Sequence, residues 1–437
     1  MSVYFGVDEM IVLTMHALII VACLLLGGAT AMSIQSGRRE MIGLTLTVGG
    51  RVVVAASSAA AIGGWSSSTD AVAFASDDAA LQSSPFTAYK IISDSSSNLT
   101  PNLQQVTPTD LNRILAMAGR GGTVWLGEHH NSAIDHQLQA NFVRNIHSLR
   151  QGAKSQRGKS NMSVGLEMVQ IQFQPVLDAY INKVISASEM KSQVQWDKRW
   201  SWSFDNYLPI FETCREVSIP LIALNVDSED LGLVELGGFP NLPREKLQKY
   251  ISDPVGFAQF ASMEYYKTYV DYVISPSYDM HKEMGILRTT ITGQQLQEDM
   301  SFARFFSGRI LWDEGMASNA YEWTKDNVGG LMIGLVGADH VKFNAGIPGR
   351  YQRMVSRDDE KKVVNCISVI LNPSLIDTRP SGSVSMVSNT DASVSGVDNL
   401  TLQLRYPKRG VDPESLEGRE SSTTGGVLAL ADYIVQS

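Results

Sequence analysis

Val124-Trp-Leu-Gly-Glu128-His129-His130-Asn-Ser-Ala-Ile-Asp-His136 reads as strand, loop and helix in immediate succession. An apolar run after a glycine pair stops at a carboxylate and two imidazoles. Ser132, with Asp135 three positions on, resembles a capping box and starts a helix striped by Ile134, Leu138, Phe142, Ile146 and Leu149. The polar cluster therefore falls at the carboxyl end of a strand, where open α/β sheets place their ligand sites. Three of the chain's seven histidines lie within these eight residues, His129 to His136.

The same grammar recurs downstream. Ser163-Val-Gly-Leu-Glu167-Met168 is a second apolar run closing on a carboxylate, and Pro220-Leu-Ile-Ala-Leu-Asn225 closes on an amide. Gly330-Leu-Met-Ile-Gly-Leu-Val-Gly-Ala-Asp339-His340 is the clearest buried strand, and Lys362 to Leu371 supplies a last one. Helical spacing separates them, including Tyr207, Ile210, Phe211 and Cys214 behind the tryptophan-rich Trp196-Asp-Lys-Arg-Trp200-Ser-Trp202. This alternation predicts an α/β fold, a three-layer sandwich around a mainly parallel sheet. Residues 241–327 show only helical patterning and are expected as a helical subdomain inserted in the domain 107–371.

The chain's flanks read differently. Its formal charge of -9 over 437 residues, with no basic stripe, argues against a nucleic-acid partner. Three cysteines without a Cys-x-x-Cys exclude a disulfide framework and a cysteine-rich metal site. Residues 1–75 are expected to be targeting peptides. Ala17 to Leu26 is an apolar core before Ala29-Thr-Ala31; then Arg38-Arg39 precedes a weaker apolar run ending at Ala71-Val-Ala73-Phe-Ala75. Such stacked addresses suit a plastid protein of the thylakoid lumen; a secreted or membrane-anchored protein is the other reading. Neither run is a convincing permanent membrane span. Residues 76–106 are expected as a linker, with Thr107-Pro-Thr-Asp110 capping the first helix after it. Residues 372–437 are expected as a low-complexity tail, with one apolar run at Val427 to Val435 as the candidate for docking back on the domain.

Four runs ending in polar chemistry would gather Glu128, His129, Glu167, Asn225, Asp339 and His340 on one edge of one sheet, with His136 reaching it from the first helical turn. Imidazoles and carboxylates together form a ligand set for a divalent metal and its activated water, although the spacing is not His-Glu-x-x-His. Dinucleotide, P-loop and Gly-x-Ser-x-Gly signatures are missing from the sequence.

Five of these motifs, in order, resemble the ChaN-like haem-binding family, related to the erythromycin-esterase-like and Tiki proteins. They are Leu126-Gly-Glu128-His129 with His136, Gly165-Leu-Glu167-Met168, Trp202 with Tyr207-x-Pro209, Leu224-Asn225, and Gly337-x-Asp339-His340-Val. The resemblance spans about residues 107–350. It implies haem at the edge of the Glu/His site, the ring shared across a homodimer, and a tyrosine ligand to iron, for which Tyr207 is the matching position. Here Asp205-Asn206-Tyr207 stands where the family has an Asp-Tyr pair. The related hydrolases imply a second role for Glu128, His129, His136, Glu167 and His340 in metal-dependent hydrolysis.

Overall fold

The structure, a computed structural model, describes residues 45–48, 51–54, 86–92, 102–118, 122–152, 162–358, 365–373 and 429–437. Strands β1 (Thr45–Val48) and β2 (Arg51–Val54) pair only with each other, antiparallel. The main sheet is built from β3 (Thr87–Ile92), β4 (Asn102–Val106), β5 (Gly122–Glu128), β6 (Met162–Gln170), β7 (Leu221–Asn225), β8 (Leu331–Gly337), β9 (Cys366–Leu371) and β10 (Tyr433–Gln436). Its order is β4-β3-β10-β9-β5-β8-β6-β7. From β10 to β7 every pairing is parallel; β3 and β4 add an antiparallel edge.

Why the middle strands are apolar throughout follows from the two faces they bury. Val124 and Leu126 of β5 pack on one side with Val164, Leu166, Ile333 and Leu335. Trp125 points to the other side with Leu224, Met332 and Val336. Side chains alternate across a strand, so a strand covered on both faces reads as one continuous hydrophobic run. On the first face lie α1 (Pro108–Met117), α2 (Ala133–Gly152) and α3 (Phe204–Glu216), which supply Leu111, Leu115, Phe142, Ile146, Tyr207 and Phe211. Thr107 caps α1 by accepting from the Asp110 amide at 3.1 Å, as its sequence signature implies. The second face is covered by α4 (Phe302–Asp326), α5 (Ile347–Asp358) and the shorter helices between Ser228 and Glu283. The three-layer α/β sandwich with a helical insertion is therefore the observed fold.

One stretch departs from expectation, and the apolar run near the C-terminus docks back on the sheet. The segment expected as a linker contains β3 and β4, and the C-terminal segment ends in β10, wedged between β9 and β3. In β3, Ala88, Tyr89 and Ile91 are buried while Thr87, Lys90 and Ile92 are not; half-covered strands carry a mixed composition that resembles a loop. The targeting signals expected at Ala17 to Leu26, Arg38-Arg39 and Ala71 to Ala75 lie outside the described residues. Among the described residues, no helix is long and apolar enough to cross a membrane.

Candidate functional site

Strands β5, β8 and β6 are consecutive neighbours, and their carboxyl ends meet where the chain's winding changes direction. From β5 the chain runs outward to β6 and β7, then returns to insert β8 in the gap and add β9 on the far side of β5. Such a switch point leaves a crevice beyond the strand ends. Glu128 closes β5, Glu167 lies near the end of β6, and β8 runs through Gly337 into the turn Ala338–His340.

Glu128 is the hub. One carboxylate oxygen, Oε1, accepts from the Tyr207 hydroxyl at 2.8 Å and lies 3.0 Å from His130 Nδ1 and 3.2 Å from His136 Nε2. Burial works to raise its pKa, but the imidazoles of His130 and His136 beside it hold it down at about 2. The other oxygen, Oε2, is buried with no hydrogen-bond partner. His136 is wholly buried, its ring tilted against Tyr207 with centroids 3.9 Å apart, and its Nδ1 has no hydrogen-bond partner.

A second carboxylate, Glu167, sits on the far side of His130. Its Oε2 accepts from the Gly337 amide at 2.6 Å, and its Oε1 is 3.1 Å from His340 Nε2 and 3.9 Å from His130 Nε2. Burial would raise the Glu167 pKa, yet the charges of His340 and His130 bring it below the usual carboxylate range. His340 is held at both nitrogens, since Asp313 Oδ1 of α4 lies 2.5 Å from its Nδ1. Asp313 Oδ2 in turn accepts from the Tyr269 hydroxyl at 3.1 Å. The result is one polar network running from the helical insertion, across the strand ends, to α3. Buried networks of this kind are costly to leave half-satisfied.

An aromatic wall closes the outer side. Trp200 donates from Nε1 to the Tyr207 oxygen at 3.3 Å and meets the His130 ring edge-on at 5.0 Å. Trp202, half-buried, lies 4.3 Å from the same ring. The loop carrying both is tied down: Trp196 Nε1 donates to the Trp202 carbonyl at 2.8 Å, and Arg199 donates to Glu229 and Gln170, each at 2.6 Å.

Among the expected site residues, Glu128, His136, Glu167, His340 and Tyr207 come together. Asn225 buttresses them, its Nδ2 donating to the Glu167 carbonyl at 2.7 Å. His129 does not join: its backbone amide and Nδ1 both engage Asp135 Oδ2, at 2.8 and 2.9 Å. Asp339 turns to Lys342, 2.7 Å away, with 43% of its side chain exposed. Tyr207, expected as an iron ligand, is fully buried with its hydroxyl given to Glu128; burial, then the Glu128 charge, drives its ionisation far above the ordinary phenol range. An iron-binding phenolate would have to form beside that carboxylate and against that burial. Sequence reading passed over His130, Trp200 and Asp313. For His130 a signal existed: strand alternation carried two residues past Glu128 puts His130, not His129, on the Glu128 side. Asp313 sits in a long helix, where no local pattern marks it.

Among the described residues, no three His, Cys, Asp or Glu side chains converge in an arrangement that could hold a metal ion. The family described as haem-binding uptake, Tiki superfamily, ChaN matches residues 114–350. Several solved structures are similar at low identity. The ChaN protein of Campylobacter jejuni, solved with cofacial haem, is 18% identical, with a TM-score of 0.44 over 80% of this chain and 96% of that one. A protein from Bacillus cereus is 14% identical, with a TM-score of 0.33 over 76% of this chain and 91% of that one. An erythromycin esterase variant in its open conformation is 14% identical, with a TM-score of 0.29 over 60% and 72%. No curated protein matches.

Proposed function

The chain belongs to the haem-binding-uptake ChaN family of the Tiki superfamily, and on that premise we propose that it binds haem or a related tetrapyrrole at the carboxyl edge of its sheet, carrying or scavenging the pigment. The observation that carries this reading is the extent of the family match: residues 114–350 enclose the whole Glu/His network and its tryptophan wall. The residues at the mouth fit such a ligand. A flat macrocycle needs an apolar wall and one donor at the surface, and Trp202 beside His130 offers both. Bound there, the haem would contribute iron as an axial acceptor; the protein's part is to position one donor and exclude water.

From the N-terminal sequence pattern we further propose that the mature protein begins near Ser76 and works in the thylakoid lumen of a plastid, and from the resemblance that it does so as a homodimer sharing the ring. One preparation tests all of this. The natural protein is isolated, its first residue sequenced, and the product titrated with hemin while its mass is followed. A start near Ser76, a saturable Soret band and a doubled mass on loading are the expected results. A start at Met1 in membrane-embedded protein sinks the location, and no saturable band sinks haem binding.

Hydrolysis is the second reading, favoured by the partnerless Glu128 Oε2. An anionic oxygen left without a donor beside two imidazoles is a place for a water molecule. The described residues do not converge on a metal ion, so this reading stands on Glu128, His136, Glu167 and His340 alone. Turnover of an ester or peptide panel, lost in Glu128→Gln, would establish it; inactivity of the wild-type chain with and without divalent metal would remove it.

A further inference from the structure

We propose that His130 supplies the protein's axial bond to the tetrapyrrole iron, with Glu128 as the positioning residue that fixes its tautomer. This rests on haem binding as read above and departs from the tyrosine ligation that the sequence resemblance implies.

Each other donor in the network is either committed to a partner or shut away from the surface. Tyr207 gives its hydroxyl to Glu128 and is fully buried. His340 is engaged at both nitrogens by Asp313 and Glu167. The side chains of Glu128 and His136 have no exposed surface, and those of Glu167 and His340 retain only 1% and 3%. His130 is different. Its side chain keeps 21% of its surface open, and its Nδ1 is taken by Glu128 Oε1 at 3.0 Å. An imidazole that donates its inner N–H to a carboxylate presents a lone pair on the outer nitrogen, the arrangement that metal-binding histidines share. That outer nitrogen, Nε2, has Glu167 Oε1 at 3.9 Å, beyond hydrogen-bonding distance. Gly337 leaves room beside that nitrogen, because a Cβ at its position would stand 2.8 Å from both Cε1 and Nε2. Trp202, tilted 45° to the imidazole at 4.3 Å, gives the macrocycle an apolar surface beside the donor. The chemistry is a ligand exchange with no change of oxidation state: one N–Fe bond would form from the Nε2 lone pair as the water or hydroxide held by hemin iron leaves to solvent, and where the ring was protonated its Nε2 proton leaves with it.

The test uses the full chain and hemin, with three arms. Protein labelled with 15N-histidine is compared with unlabelled protein by resonance Raman spectroscopy of the ferrous haem complex; an isotope shift of the iron–nitrogen stretch is expected. His130→Ala should bind hemin about tenfold or more weakly, and imidazole added to the buffer should restore the wild-type spectrum. Glu128→Gln should keep the nitrogen-ligated spectrum but lower the iron–nitrogen stretching frequency, since a neutral partner polarises the imidazole less. A wild-type complex with a tyrosinate charge-transfer band and no isotope shift overturns the assignment while leaving haem binding intact. A wild-type chain that binds no hemin overturns the functional reading itself. The labelling arm needs no variant, so a His130→Ala chain that fails to fold still leaves the assignment decided.

Discussion

His340 carries its proton between two carboxylates, and that placement sets how the haem-free protein responds to pH. Burial alone would depress its pKa, but Glu167 and Asp313 lift it from 6.5 to about 9. The folded state thus holds a proton that the unfolded chain releases at lower pH. The stabilisation, on the order of 3 kcal/mol, is complete below the unfolded value of 6.5 and disappears as pH rises through about 9. Glu128 has the opposite sign: its pKa falls from 4.5 to about 2, so its contribution is present above 4.5 and fades as acid approaches 2. Thermal melting from pH 4 to 10 should therefore decline on the alkaline side, and His340→Gln should flatten that arm. A wild-type melting temperature unchanged from pH 6 to 10 would contradict the account. At this scale the sequence was readable where a residue ended a strand, as Glu128 does, or stood in the turn just after one, as His340 does. It was misread where two neighbours looked alike and the strand's alternation was not carried past its last residue. His129 and His130 are chemically equal in the sequence, and only the direction each takes after β5 gives one to Asp135 and the other to Glu128.

Gly337 shows what the elements contribute. It closes β8 with ordinary extended backbone, φ -61° and ψ 146°, so any residue could adopt its conformation. Its constraint is steric, because an added methyl would meet His130 Cε1 and Nε2 at 2.8 Å. The ring has little room to retreat, with Trp200 and Trp202 beside it. Gly337→Ala should cost about 1–3 kcal/mol in stability, the usual penalty for overpacking, and should weaken hemin binding. Denaturant melts and a hemin titration read both, and a variant matching wild type in each would show that the ring moves freely. Elements that β8 typifies were legible because double burial writes them as unbroken apolar runs. β3 and β4 were not. Gln104 and Gln105 of β4 are exposed on the sheet edge, and polar edge strands guard against further pairing at the expense of any hydrophobic pattern. The helical insertion was legible as helix, yet its delivery of Asp313 to His340 depends on packing that no local periodicity records.

Across the whole molecule, residues 429–437 do more than their length suggests. β10 separates β9 from β3, and the half-buried Asp432 accepts from the Ser368 amide at 2.8 Å and its hydroxyl at 3.0 Å. The Leu430 carbonyl takes the Phe343 amide at 2.7 Å, anchoring the turn just beyond His340. Deleting residues 429–437 should lower the melting temperature and reduce hemin affinity together, as measured by calorimetry and titration; loss of neither would mean the strand is decorative. The same strand also imposes a schedule. Thr87 of β3 bonds to Gln436, 349 residues later. At roughly 5–20 residues per second, synthesis of the intervening chain takes on the order of 20–70 s. Throughout that interval β3 has no partner on one flank, so a nascent chain exposes an open pairing edge long before its cover is made. Waiting for that cover is a cost written into the topology itself, separate from anything the side chains of the site do.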